Sequence, residues 1–240
     1  MGILLALYLV LVLAVVPLIA WRTAGGDQLL AYPRPVLYRA SISSAWLLAG
    51  LGLVVLLVDP TLTPARAGLT MPPAPALAGA TAATVAVLGA GLALVAHLRR
   101  AASRPESRCL AHLLPRSADE RRWFAGVAVT AGITEEFIYR GVALPGLAAV
   151  LPVESAPAGW LAAVIVAAIF GAGHAYQDTF GVLRAGVSGV VLAVPYLLGG
   201  SLLPGIVAHT LIDLSLLTRA GRRLLDLHQP AAAGGGATRV

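Results

Sequence analysis

This chain contains no lysine and no asparagine, and its single cysteine, Cys109, stands in an arginine-rich stretch. One cysteine excludes a disulfide framework and a cysteine-based metal site. Lysine and asparagine share A-rich codons, so their absence reports a GC-rich genome and not a function. Charge is scarce as well: 12% of residues are charged, against about 25% in soluble domains, which excludes an ordinary water-soluble fold. All 17 basic residues are arginine, they outnumber the 11 acidic ones, and the isoelectric point is near 10.2. That balance could suit nucleic acid. The arginines, however, flank apolar runs, a pattern that orients a membrane protein and meets lipid headgroups, so no nucleic-acid partner is expected.

What the chain does have is apolar sequence. Hydrophobic residues make up 58% of it, and the mean hydropathy is +0.85. A bilayer core needs about 20 apolar residues per helix. The runs near 3–21, 41–58, 74–97, 158–176, 182–198 and 203–218 qualify, together with one that starts near Ala118. The expected fold is therefore all-α: a polytopic transmembrane helical bundle of about seven spans, or eight. The span at 182–198 is the least regular, because Pro195 and glycines interrupt it. The first run lacks a charged leader and a small-residue cleavage site, so it reads as an anchor and not a removed signal. Tyr8, Trp21, Trp123 and Trp160 read as interface-belt residues.

Four units are expected: N-terminal helices over 1–97, an arginine-rich loop over 98–122, a catalytic set of helices over 118–218, and a tail over 219–240 whose AAAGGGA stretch reads as disordered. Within the loop, Ser117-x-x-Glu120 forms a capping-box pattern that starts a helix near Ala118. Seven spans put nearly all loop arginines on one side, in 22–40, 98–122, 177–181 and the tail, and leave Arg66 on the other. The positive-inside rule then places the N-terminus outside and the C-terminus in the cytoplasm. The expected location is a cell membrane, crossed several times, and the composition suggests a bacterial one.

Few ionisable groups lie inside these runs, and they are not scattered. Glu135, Glu136, Arg140, His174, His209 and Asp213 all fall in the C-terminal half, with Arg184 near a helix end. A charge at a helix centre costs roughly 2.5–3.5 kcal/mol even on the lenient insertion scale, so two adjacent glutamates there call for a chemical reason. Glu136 and Arg140 are four apart and can neutralise each other. Glu135 is rotated about 100° from Glu136 by helix periodicity, which aims it elsewhere. His209 and Asp213 also share a helix face, so the carboxylate can hold the imidazole. Arg184 and Asp178 read as a loop anchor. A carboxylate with two histidines can activate water for hydrolysis. The same set, Glu135, His174 and His209, could bind Zn²⁺ with an open position, and a metal-free route is equally open. No H-E-x-x-H occurs, and Ser188 and Ser201 have no lysine or histidine at useful spacing, which argues against zincin and serine-type chemistry.

Three short motifs occur in order: E-E-x-x-x-R (Glu135 to Arg140), F-x-x-x-H (Phe170 to His174) and H-x-x-x-D (His209 to Asp213). They resemble those of the CPBP intramembrane protease family, the CAAX prenyl protease 2 and bacteriocin-immunity (Abi) group. The resemblance covers roughly residues 120–218. It implies a membrane endopeptidase that cleaves near a substrate's C-terminus. Glu135 would be the base, His174 its partner, and His209 and Asp213 would steady the oxyanion or ligate a metal. Glu136 and Arg140 would support the site or contact a substrate carboxylate. The prenyl proteases favour asparagine where this chain has Asp213, and an ionised aspartate would repel an oxyanion. The implied partners are a membrane-anchored peptide or protein and the bilayer. Two other functions fit the same residues: a non-catalytic immunity or scaffold protein, and a proton-coupled transporter using the buried groups as a relay.

Overall fold

The computed structural model describes residues 2–24, 27–104, 107–152 and 155–224. Among these residues the secondary structure is helical, without strands. The first helix, α1, runs over 3–24 with a π-helical turn at Leu11–Val15; α2 is Arg34–Val58, α3 is Ala74–Ala101, and α4 is the short Arg108–Leu113. Helix α5 runs over 118–148, and its middle section, Glu136–Ala143, is π-helical. Then come α6 (Ser155–Ala172), α7 (Asp178–Gly199), α8 (Leu203–Ser215) and α9 (Arg219–Leu224). Four helices, α1, α2, α3 and α7, are long and apolar enough to cross a membrane, and α6 and α8 are shorter apolar helices.

The packing suits lipid and not water. In the most apolar stretch of α2 only 22% of residues are buried, and Leu47 and Leu57 point outward. In water such a surface would drive aggregation; in a bilayer it is the solvated face. The interior is correspondingly small. One apolar core joins α1 (Leu5, Val12), α2 (Val55), α5 (Val142), α6 (Val166) and α7 (Ala193). A second, around Leu88, Leu192 and Ala208, ties α3 and α7 to α8.

The loops gather at two ends of the bundle. At one end Tyr38 donates to Leu113 O (2.7 Å), Arg121 to Leu217 O (3.1 Å), and Arg99 pairs with Asp178 at 2.7 Å. At the other, Thr70 donates to Gly200 O (2.7 Å), Tyr196 to Arg66 O (2.6 Å), and the Gly2 N–H to Asp59 (2.7 Å). The arginine-rich loops thus share one end.

One local expectation holds and several change. The capping box is present: Ser117 accepts from the Glu120 N–H, and Glu120 reaches back to Ser117 N, starting α5 at Ala118. Pro195 does not break α7, which runs unbroken from Asp178 to Gly199. Tyr8 is not an interface residue. It is buried in the core and donates to Leu48 O at 3.1 Å. The tail is not irregular from its start, since Arg219–Leu224 is helical; the AAAGGGA stretch lies outside the described residues. Asp178 pairs with Arg99, while Arg184 donates to Gln177. The anchor expected between Arg184 and Asp178 is replaced by these two contacts.

One close helix contact positions the polar residues. A Cβ on Gly132 of α5 would stand 2.1 Å from Thr210 Oγ1 and 3.0 Å from Thr210 N of α8. A hydroxyl can rotate away, but a backbone nitrogen cannot. Gly132→Ala is therefore expected to push α8 off α5 and to cost about 1–3 kcal/mol, the usual range for overpacking. Thermal unfolding in detergent would measure this, and an unchanged midpoint would refute it.

Candidate active site

The Glu-Glu pair sits where α5 changes its winding. The chain passes from α-helix to π-helix between Glu135 and Glu136 with helical dihedrals on both sides. π-Segments inside helices are rare and gather at functional sites. The wider winding rotates successive residues less than the 100° of a regular helix. Both glutamates consequently reach the same imidazole. Glu136 Oε1 lies 2.8 Å from His209 Nδ1, and Glu135 Oε2 lies 3.8 Å from His209 Nε2. Glu136 keeps the expected pairing with Arg140 and Glu135 lies toward His209; what the spacing did not anticipate is that Glu136 meets His209 as well. The reading from a period of 3.6 could not anticipate a π-segment.

Glu136 and Arg140 form the buried core of the site, each 1% exposed. Arg140 donates to Glu136 Oε1 (3.1 Å) and to Gly189 O of α7 (2.9 Å). Its guanidinium also lies 5.0 Å from the centre of the Phe170 ring, a favourable cation–π arrangement. Neither residue lines the cavity described below, so Arg140 is placed to hold helices and not to meet a ligand there.

His174 is not on a helix. The last turn of α6 ends at Ala172, and His174 lies in the turn that follows. Its Nδ1 contacts Phe170 O at 2.8 Å. A carbonyl only accepts, so Nδ1 is the donor, and the side chain satisfies one of the carbonyls left over at the helix end. In the neutral ring, Nε2 then keeps its lone pair. Phe170 is the hub of this corner. Its ring stands 4.7 Å from His174, 4.9 Å from Tyr139 and 6.5 Å from His209, measured between centres. The spacing of the motif thus reflects two contacts, a ring stack and a helix-end hydrogen bond.

Asp213 follows His209 by one turn of α8, with Oδ2 3.6 Å from Nε2. Glu135, His174, His209 and Asp213 all line one cavity of about 260 Å³. Its remaining walls are largely apolar and come partly from α2 and α3, through Tyr38, Ile42, Leu88 and Leu92. Those helices carry charged residues only toward their ends and drew no functional reading from the sequence. Tyr176 and Gln177, which went unassigned, also line the cavity, as does Arg184, read from the sequence as a loop anchor. Only their position just after the F-x-x-x-H motif could have marked Tyr176 and Gln177.

The donor chemistry of Glu135, His174, His209 and Asp213 suits zinc. The geometry does not: among the described residues no three such groups converge on one point, and both nitrogens of His209 face carboxylates.

Residues 119–215 match the profile of a known family, described as Rce1-like: type II CAAX prenyl endopeptidase Rce1-like. No curated protein and no solved structure matches the chain.

Proposed function

Residues 119–215 carry a CPBP/CAAX protease-family segment, and on that premise we propose that this chain hydrolyses a peptide bond near the C-terminus of a membrane-anchored protein or peptide. The arginine-rich end faces the cytoplasm, following the positive-inside rule, and the substrate enters the cavity from there. One observation carries the reading: His209 Nε2 stands between Glu135 Oε2 (3.8 Å) and Asp213 Oδ2 (3.6 Å) on the wall of a cavity. Both separations exceed a direct hydrogen bond and suit an intervening oxygen.

In this mechanism Glu135 takes a proton from water while the water oxygen attacks the carbonyl carbon. His174, held by Phe170 O through Nδ1, orients that water with Nε2. The oxyanion forms opposite His209, which acts as an imidazolium with a proton on each nitrogen: Nδ1–H is committed to Glu136, and Nε2–H is presented to the cavity. Collapse breaks the C–N bond, and the proton passes from Glu135 to the departing amine. Asp213 holds a proton on His209 Nε2 and does not itself meet the oxyanion, which an ionised carboxylate would repel. Glu136 and Arg140 keep His209 in place.

The test is a comparison of membrane peptides from cells with the wild-type chain and from cells with His174→Ala or His209→Ala. C-terminally extended peptides are expected to accumulate in both variants, with membrane insertion unchanged. Identical peptide termini would refute the proteolytic reading and favour a non-catalytic immunity or scaffold role.

A further inference from the structure

We propose that Tyr176 holds the backbone of the substrate: its O–H donates to a peptide carbonyl of the bound segment and so fixes how that segment lies beside His174. This rests on the proteolytic reading above. A peptide drawn into a largely apolar cavity gives up the water around its carbonyls, and a buried carbonyl left without a donor is costly. Tyr176 supplies a donor of the right kind. It lines the cavity together with Glu135 and His174, and its ring lies 6.0 Å from that of His174, tilted by 30°.

The direction of its hydrogen follows from two bonds whose polarity is fixed. Arg184 Nη2 lies 2.9 Å from Gln177 Oε1, and a guanidinium only donates. The Gln177 amide is thereby oriented, with its oxygen toward Arg184 and its nitrogen toward Tyr176. Gln177 Nε2 then donates to Tyr176 Oη at 2.9 Å, because an amide nitrogen does not accept. The phenol oxygen is the acceptor here, so its own hydrogen points elsewhere. Among the described residues Oη makes no second hydrogen bond. That hydrogen is left for a ligand, and successive bonds of this kind polarise one another, which strengthens the last donor.

The segment that carries Tyr176 is held from both sides. Ala175–Gln177 forms a 3₁₀ turn, and Ser107 Oγ donates to Tyr176 O at 3.2 Å. The turn ends in strain: Asp178 has φ of +69°, uncommon for a residue with a side chain. It is held there because Asp178 Oδ1 accepts from the N–H groups of Phe180 (2.8 Å) and Gly181 (3.2 Å) and from Arg99 (2.7 Å). Gln177 then folds back over the first turn of α7, where a Cβ on residue 181 would stand 2.2 Å from Gln177 Cβ. Glycine at 181 is what leaves room. Strain that several contacts over-determine tends to mark functional turns, and a side chain ordered in advance loses little freedom when it meets a ligand.

The probe is tetraleucine, titrated by calorimetry into the full-length protein in detergent, with three analogues in which one peptide bond at a time is an ester. An ester carbonyl is the weaker acceptor. The analogue altered at the carbonyl that meets Tyr176 is therefore expected to bind about tenfold more weakly than tetraleucine. In Tyr176→Phe, which keeps the ring and loses the O–H, that analogue and tetraleucine should agree within about threefold. Gln177→Glu tests the direction of the hydrogen with the phenol intact. Its carboxylate still accepts from Arg184, but an oxygen replaces Nε2 and captures the Tyr176 O–H, so the discrimination should be lost again. This second variant covers the case in which Tyr176→Phe does not fold. No binding of tetraleucine, three analogues that all bind as tetraleucine does, or a discrimination that persists in either folded variant overturns the proposal. Cleavage of membrane peptides without any such discrimination would leave proteolysis standing and remove Tyr176. Discrimination without cleavage would do the reverse.

Discussion

Glu135→Gln is expected to lower peptide cleavage by about 10²–10⁴-fold, the usual contribution of a positioned general base. Glutamine keeps the size and one acceptor oxygen of the side chain and loses the ability to take a proton. Glu135 approaches His209 at 3.8 Å, too far for a hydrogen bond that the fold would need, so thermal stability should be little altered. Rate and stability are therefore separable at this position. Turnover within about threefold of wild type, far below the loss a general base implies, would remove Glu135 from the mechanism. Glu136→Gln offers the contrast. Glu136 Oε1 contacts both Arg140 and His209, so its loss should affect stability and activity together.

The second large effect concerns the buried pair itself. Arg140→Met would leave Glu136, 1% exposed, without the guanidinium it pairs with. Breaking a buried pair in this way typically costs about 3–5 kcal/mol. The cation–π contact with Phe170 is lost as well. The double change Glu136→Leu with Arg140→Met should behave differently. Among the described residues, Glu136 Oε2 and Arg140 Nε have no hydrogen-bond partner, so the native pair is poorly satisfied, and apolar replacements of such pairs are often neutral or stabilising. The double variant is expected to recover most of the lost stability while remaining inactive, because nothing then holds His209 Nδ1. Unfolding midpoints and cleavage assays on the three proteins decide this. Recovery of activity along with stability would show that the pair serves only the fold.

These two results bear on why a bilayer protein keeps such residues at all. An apolar pair would pack as well at lower cost. The ion pair persists in the structure alongside a third contact, to the histidine that the proposed reaction uses. Its place is best understood through His209, and its effect on stability is secondary.

Much of this was legible in the residues. The scarcity of charge and the apolar runs specified a helical membrane protein, because a bilayer admits few other solutions. The segregation of Glu135, Glu136, Arg140, His174, His209 and Asp213 into the C-terminal half marked one polar site, since each charged group inside a membrane is expensive. Spacing along a helix identified the Glu136–Arg140 and His209–Asp213 neighbours, as local periodicity allows. What sequence could not supply were the contacts between distant segments and the departures from ideal winding. The π-segment at Glu136–Ala143, beside which both glutamates reach His209, departs from the 3.6-residue period on which a spacing argument rests. The placing of Phe170 between Arg140 and His174, the cavity walls drawn from α2 and α3, and the strained turn that carries Gln177 to Arg184 all depend on which surfaces meet. Composition and spacing decided the kind of protein and the residues to watch; tertiary packing alone decided which of them face one another.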